Sequence, residues 1–280
     1  MNNNTARSSE KTSRKTPFHP DLQGRVAVIT GGADGIGRAT ALLLASHGAT
    51  VMVGDVKNLP ETDQIFAERG IEQSFCDVRE ESSLQKLIDD VTAAHGRIDI
   101  LINNAGVGMV KQIEDVSEDD WRKTIDTNLK GPFFGCKHAI KHMRRQNSGG
   151  VIVNTASNAG LLPRAHDPVY SISKMALVAL TKSLALCHGK DGIRINAVCP
   201  GPVGQTGMMN ADLDAAEDRN ALEQQMISAS PIARKFSRMI EPEEVAQAIL
   251  YLVSDAAVMV TGTMIAIDGG KSLGVPPQVE

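Results

Sequence analysis

A phenol and an ammonium stand four residues apart in Tyr170-Ser171-Ile172-Ser173-Lys174, at the start of a stretch with helical periodicity. On a helix that spacing sets both side chains on one face, with Cβ atoms about 5–6 Å apart. A free tyrosine, with a pKa of about 10, is a poor base at neutral pH. An adjacent ammonium favours the phenolate, which suits proton transfer to or from a substrate oxygen. Taken alone, the pair reads more readily as a core-edge tyrosine and a solvated lysine. Ser157, thirteen residues upstream, changes that balance, because its hydroxyl could hold the same oxygen beside the phenol.

A second group handles phosphate. In Thr30-Gly31-Gly32-Ala33-Asp34-Gly35-Ile36-Gly37 the glycines leave bare backbone N–H groups at the start of a helix, where a pyrophosphate is held by the helix dipole. The spacing of Gly31, Gly35 and Gly37 is not G-x-G-x-x-G, so by itself the turn is weak evidence, with a plain strand-to-helix turn as the lesser alternative. Asp55 closes the next apolar run, TVMVGD, eighteen residues after Gly37. An acid there accepts hydrogen bonds from adenosine ribose hydroxyls and repels a 2′-phosphate. Its neighbours Asp34 and Val56 offer no cation, so the expected cofactor is NAD rather than NADP.

These groups need elements to position them. Short β-branched runs at 25–30, 50–55, 71–76, 98–103, 151–156, 193–198 and 263–268 alternate with helical stretches at 36–47, 61–69, 81–95, 118–146, 169–188 and 242–254. Runs that are apolar on both faces and joined by helix-length crossovers predict a doubly wound sheet of seven parallel strands with helices on both faces. The chemistry-bearing residues fall at the carboxyl ends of those strands, where open α/β sheets bind ligands. No linker interrupts the pattern, so residues 21–280 read as one domain. Residues 1–20, polar and basic (Arg7, Lys11, Arg14, Lys15 against Glu10), read as a disordered tail, with a transit peptide as the alternative. Gly-, Ala- and Met-rich residues 202–240 break the rhythm and read as a substrate lid, a loop with helical pieces.

Bulk properties exclude other classes. A formal net charge of −4 gives no footprint for nucleic acid or an anionic membrane. No apolar run approaches the roughly 20 residues of a membrane span. Cys76, Cys136, Cys187 and Cys199 form no CxxC pair and are expected as reduced, buried thiols of a cytoplasmic protein. The seven histidines show no metal-ligand spacing, and no metal is expected.

With TGGADGIG (30–37), CDV around Asp77, NNAG (103–106), Asn128, NTASNAG (154–160), YSISK (170–174), NAVCPG (196–201) and IDGG (267–270) in order, the chain resembles a classical short-chain dehydrogenase/reductase over residues 22–272. The resemblance implies a single-domain Rossmann-type fold and hydride transfer between NAD(H) and a secondary alcohol or ketone, with Tyr170 as general acid/base. It implies that Asp77 and Val78 bracket the adenine and that Asn104 and Ala105, with Gly106, support the ribose side. Lys174 would also bind the nicotinamide ribose. Asn128 would hold a water in a proton relay, and Pro200, Gly201 and Val203 would line the nicotinamide site. The family's carboxamide-contacting Thr falls here on Gln205, so Thr206 takes that role only if the chain bulges by one residue. Substrate contacts are expected near the serine and tyrosine and from the lid: Ser157, Arg164, His166 and Met208 first, then Val107, Met109, Asn158, Leu162 and Met209. Arg164 is read either as a receiver of a carboxylate or polyol or as a solvated surface residue. A homotetramer, with the helices at 118–146 and 169–188 between subunits, is implied as well. Two rivals remain at this stage, a non-catalytic NAD sensor and an epimerase or dehydratase passing through a transient ketone.

Overall fold

The computed structural model describes residues 19–274. The expected tail therefore lies, apart from His19 and Pro20, outside the described residues. Seven strands, β1 (Val26–Thr30), β2 (Thr50–Asp55), β3 (Glu72–Phe75), β4 (Ile100–Asn103), β5 (Gly150–Thr155), β6 (Ile193–Pro200) and β7 (Met264–Ile267), form one parallel sheet in the order β3-β2-β1-β4-β5-β6-β7.

Alternation along the strands sends side chains to two separate cores, as a sheet covered on both faces requires. Ala27 and Ile29 of β1 join the core formed with α1 (Gly35–Ser46), α2 (Pro60–Glu68) and α10 (Pro242–Val253). Val26 and Val28 turn the other way, towards α3 (Glu81–His95) and α5 (Gly131–Gln146). The strand order reverses at β1, which lies between β2 and β4, and this is the point where such sheets open a crevice at their carboxyl ends.

The segment expected as one helix over 118–146 is broken. Helix α4 (Glu118–Ile125) passes through a π turn at Asp126–Lys130 before α5 begins. Pro132 supplies the reason: it has no N–H to offer the carbonyl of Asn128, and its ring would crowd that carbonyl in a regular ladder. The turn widens instead, and the N–H of Gly131 bonds back to the Asp126 carbonyl.

Helix α6 (Pro168–His188) carries Tyr170 and Lys174 and packs on β6. It alone among the described helices has the length and mean apolarity of a membrane span, which amends the expectation that no stretch approaches one. Its buried polar residues Ser171, Ser173, Lys174 and Thr181 mark a core helix. Three cysteines are buried as expected, but Cys187 is exposed on the outer face of α6.

Residues 202–240 are more ordered than a loop with helical pieces. They form α7 (Gly207–Asp214), α8 (Arg219–Ser228) and α9 (Pro231–Phe236), with side-chain caps from Thr206, Asp218 and Ser230. Leu213, Ile227 and Met239 make a small core of their own. The two ends of the excursion are stapled together, Gly204 N–H donating to the Ile240 carbonyl at 2.9 Å and Ile240 N–H to that of Pro202 at 3.2 Å.

Candidate active site

A cavity of about 660 Å³ runs along the carboxyl ends of the strands. One end is lined by Asp55 and Asp77, the middle by Gly31, Gly35 and Ile36, and the far end by Ser157, Tyr170, Lys174 and the lid.

Tyr170 and Ser157 are both buried and both line this end of the cavity, the serine hydroxyl within reach of the phenol. Ser157 is fixed from behind, its Oγ accepting the Ala159 N–H at 3.1 Å and lying 3.2 Å from Asn158 Oδ1. Lys174 follows Tyr170 by one helical turn, with Nζ 5.7 Å from the ring centroid and donating to the Thr155 carbonyl at 2.9 Å. Burial pushes the phenol above its ordinary value, while the nearby Arg164 charge and the Ser157 hydrogen bond pull it back. Burial lowers Lys174 to about 8. The four-residue spacing thus delivers the pair, but Arg164 is the cation that most counters burial of the phenol.

Asn128, in the π turn, is fully buried and does not line the cavity. Its Oδ1 accepts the Val107 N–H at 2.9 Å, and its Nδ2 donates to the Val107 carbonyl at 2.9 Å and to Ser173 Oγ at 3.3 Å. Gly106 lies between Asn128 Oδ1 and Lys174 Nζ: an added Cβ would sit 3.3 Å from the first and 3.7 Å from the second. Asn128 therefore clamps the segment after β4 against α6.

The middle of the cavity fits a dinucleotide. A Cβ on Gly31, where φ is +65°, would lie 2.6 Å from Ala105 Cα, and one on Gly37 would lie 2.1 Å from the Gly31 carbonyl oxygen. Gly37 is thus buried packing that brings α1 against the turn, rather than part of the lining. The first intrahelical bond runs from Arg38 N–H to Asp34 O, so the N–H groups of Ile36 and Gly37 precede the ladder and suit a phosphate. Asn104 ties this turn to β5, its Nδ2 donating to Gly31 O at 2.8 Å and its Oδ1 accepting from Thr155 Oγ1 at 3.3 Å.

At the adenine end, Asp55 accepts the N–H groups of Ala33 at 3.0 Å and Lys57 at 2.9 Å. The expectation of no cation nearby is corrected, because Lys57 and Arg79 both line this end. Each is committed to an acid: Lys57 Nζ lies 3.8 Å from Asp34, and Arg79 holds Asp77 at 2.6 Å, keeping that carboxyl below its ordinary value. Val78, Ala105, Gly106, Pro200, Gly201 and Val203 also line the cavity. Gln205 takes a left-handed backbone, φ +54°, and the turn it makes brings Thr206 into the lining. The bulge is thus at Gln205 itself.

On the substrate side, Val107, Met109, Arg164, Met208 and Met209 line the cavity. His166 and Leu162 do not: both are exposed, and His166 Nδ1 lies 2.8 Å from Gln112 Nε2. Asn158 lies beneath, bonded to Arg164 at 3.2 Å. Two residues that sequence reasoning missed, Asp212 and Lys271, line it too. Asp212 follows Met208 by one helical turn, a signal available only once α7 is known. Lys271 directly follows the IDGG motif, where its position alone announced nothing.

A sheet of this order with a Ser-Tyr-Lys cluster at its switch point defines a nicotinamide-dependent oxidoreductase. The family model described as enoyl-(acyl carrier protein) reductase matches residues 31–272. An uncharacterised oxidoreductase of Thermotoga maritima is 39% identical over 254 residues, 90% of this chain and 99% of that protein. The cis-4-hydroxycyclohexanecarboxylate dehydrogenase of Sinomonas cyclohexanicum is 37% identical over 250 residues, 88% and 96% of the two chains. The ligand-free aldohexose dehydrogenase of Thermoplasma acidophilum superposes with a TM-score of 0.81 at 30% identity, covering 92% of this chain and 98% of that one. The chain belongs to the short-chain dehydrogenase/reductase family, oxidoreductases that use a nicotinamide cofactor.

Proposed function

We propose that the protein transfers a hydride between NAD(H) and a secondary alcohol or ketone, with Tyr170 as general acid/base. The observation that carries this reading is the buried Tyr170–Ser157 pair beside Lys174 at one end of a cavity whose other end carries Asp55. A bound nicotinamide would supply the hydride chemistry. Tyr170 and Ser157 hold the substrate oxygen; in reduction the phenol gives that oxygen its proton, and in oxidation it accepts one. Lys174 passes the proton onward, and Asn128, on the other side of Gly106, would hold a water that receives it. The unbroken Ser, Tyr, Lys and Asn set disfavours a sensor.

The choice of NAD rests on charge. Asp34, Asp55 and Asp77 outnumber Lys57 and Arg79 at the adenine end, and both cations are paired, so a 2′-phosphate meets net repulsion. Steady-state rates with a panel of secondary alcohols and sugars test the reading. NAD should exceed NADP by at least tenfold in kcat/KM, and Asp55→Ser should erase most of that preference. Equal turnover with NADP would sink the NAD assignment, and product formed without net NADH would favour an epimerase.

The small-molecule substrate takes the protein away from nucleic acid and membranes, and its buried Cys76, Cys136 and Cys199 thiols suit a reducing cytoplasm. A homotetramer belongs to the same proposal. Ile172 and Met175 of α6 and Phe133 of α5 are 47%, 38% and 49% exposed, an apolar set that subunit contacts would cover. Light scattering giving the monomer mass would remove it.

A further inference from the structure

Lys271 is a half-buried cation in the cavity wall, and among the described residues its Nζ has no hydrogen-bond or ion-pair partner. Its position is not a loop accident. Asp268, just past β7, uses both carboxylate oxygens on backbone N–H groups, Gly270 at 2.9 Å and Ser272 at 2.8 Å, and so shapes the turn that presents Lys271 without forming an ion pair with it. The lid fixes the same turn from above, since Ser230 Oγ and Ile232 N–H both donate to the Gly269 carbonyl, at 2.9 and 3.1 Å.

Arg164 approaches the same space from the other side, its guanidinium 5.2 Å from the Tyr170 ring centroid. It is braced by Asp167 at 3.0 Å and Asn158 at 3.2 Å, which aim the fork. Burial and the like charge of Arg164 depress Lys271, and the carboxylates of Asp268 and Asp167 only partly offset them. Asp212 faces the same space with Arg164 as its opposite charge, and burial raises its carboxyl above the ordinary value.

We infer that Lys271 and Arg164 form an anion subsite beside Tyr170, so that the substrate is a hydroxy or oxo acid whose carboxylate sits between them. This deepens the reading given above and rests on it. The subsite sets which alcohol is presented to the phenol, because a carboxylate held at a fixed place determines which carbon of the same molecule reaches Tyr170.

The test uses the full-length protein loaded with NADH, titrated calorimetrically with cyclohexanecarboxylate and, separately, with cyclohexanecarboxamide. These unreactive probes match in shape and differ in charge. The acid should bind at least tenfold tighter than the amide. Lys271→Met and Lys271→Gln should each bring that ratio near one, with NADH affinity within twofold of the parent. Equal binding of the two probes, or of neither, overturns the subsite. A large loss of NADH affinity in both variants would also overturn it, by assigning Lys271 to the cofactor. Failure of the unaltered protein to bind NADH at all is a different result, which removes the oxidoreductase reading first and the subsite with it.

Discussion

The floor and the lid of the cavity are built on opposite principles. On the floor, Ser157, Tyr170, Lys174 and Asn128 are buried at the ends of strands or on helices packed against them, and the side chains of Ser157, Lys174 and Asn128 hydrogen bond to the protein. The lid helices α7 to α9 are short, largely exposed and carry a core of three buried residues. The lid is held to the body at its ends, by Asp34 accepting Gly207 N–H at 2.8 Å and by Ser230 on Gly269. Chemistry needs groups fixed before the ligand arrives, whereas selection of a substrate needs a surface that can differ without disturbing them.

Breaking the floor should cost most. Tyr170→Phe keeps the ring and its packing but removes the proton, and kcat/KM should fall about 10³-fold, within the range for general acid–base groups, while the NAD dissociation constant changes little. Stopped-flow binding beside steady-state rates reads both; retained turnover would refute the assigned role.

Lys174→Met should cost about 10²-fold in rate yet leave the ligand-free fold more stable. Burial holds Lys174 at about 8 against 10.5 for the free group, so at neutral pH the native state carries a desolvated charge. At about 1.4 kcal/mol per pH unit, relieving it is worth up to about 3 kcal/mol, of which about 1–2 is lost by leaving the Thr155 carbonyl without a donor. For this depressed lysine the unfolded chain binds more protons between pH 8 and 10.5, so the parent's own stability rises across that window. The variant's advantage, up to about 1–2 kcal/mol below pH 8, should therefore fade above it. Denaturant titrations at pH 7 and pH 10 check the sign.

Pro132→Ala tests how the floor is shaped rather than what it carries. With an N–H restored opposite the Asn128 carbonyl, the π turn can tighten into regular helix, rotating Asn128 off Val107 and Ser173. About a tenfold loss of kcat is expected, with stability unchanged or raised. An unaltered kcat would mean that another contact holds the turn.

How much of this was legible follows from where the information lies. The β-branched runs displayed the sheet, since buried parallel strands must be apolar on both faces, and the motifs fixed Asp55 and Ser157 to strand ends and Tyr170 to the first turn of a helix. Pro132, next to Gly131 near the middle of the 118–146 stretch, is the sequence signal for the π turn, and the helical periodicity on both sides masks it. The lid helices were hidden because they are short and their caps, Thr206, Asp218 and Ser230, sit among other polar residues. Lys57 and Lys271 were invisible as cavity residues. Whether a lysine is paired depends on Asp34 or Asp268, and that is decided by tertiary geometry rather than by spacing. His166 failed for the converse reason: proximity to Tyr170 in sequence does not turn a side chain inward, and Gln112 takes it at the rim.

The smallest effect should come from the junction of floor and lid. Asp34 does two jobs, its Oδ1 capping α1 at Gly35 N–H, 2.7 Å away, and its Oδ2 reaching Gly207 at the start of α7. Serine is an equally good cap but one atom shorter, so Asp34→Ser should hold α1 to within about 0.5 kcal/mol while releasing the lid. The contact with Lys57 adds little to stability, being long at 3.8 Å and exposed on the lysine side. Amides of residues 207–214 should exchange faster by about tenfold, and KM for NAD should rise about threefold, with kcat unchanged if the floor is independent of the lid. Faster exchange accompanied by a comparable fall in kcat would mean that the lid helps to position Tyr170, and the separation of the two regions would not hold.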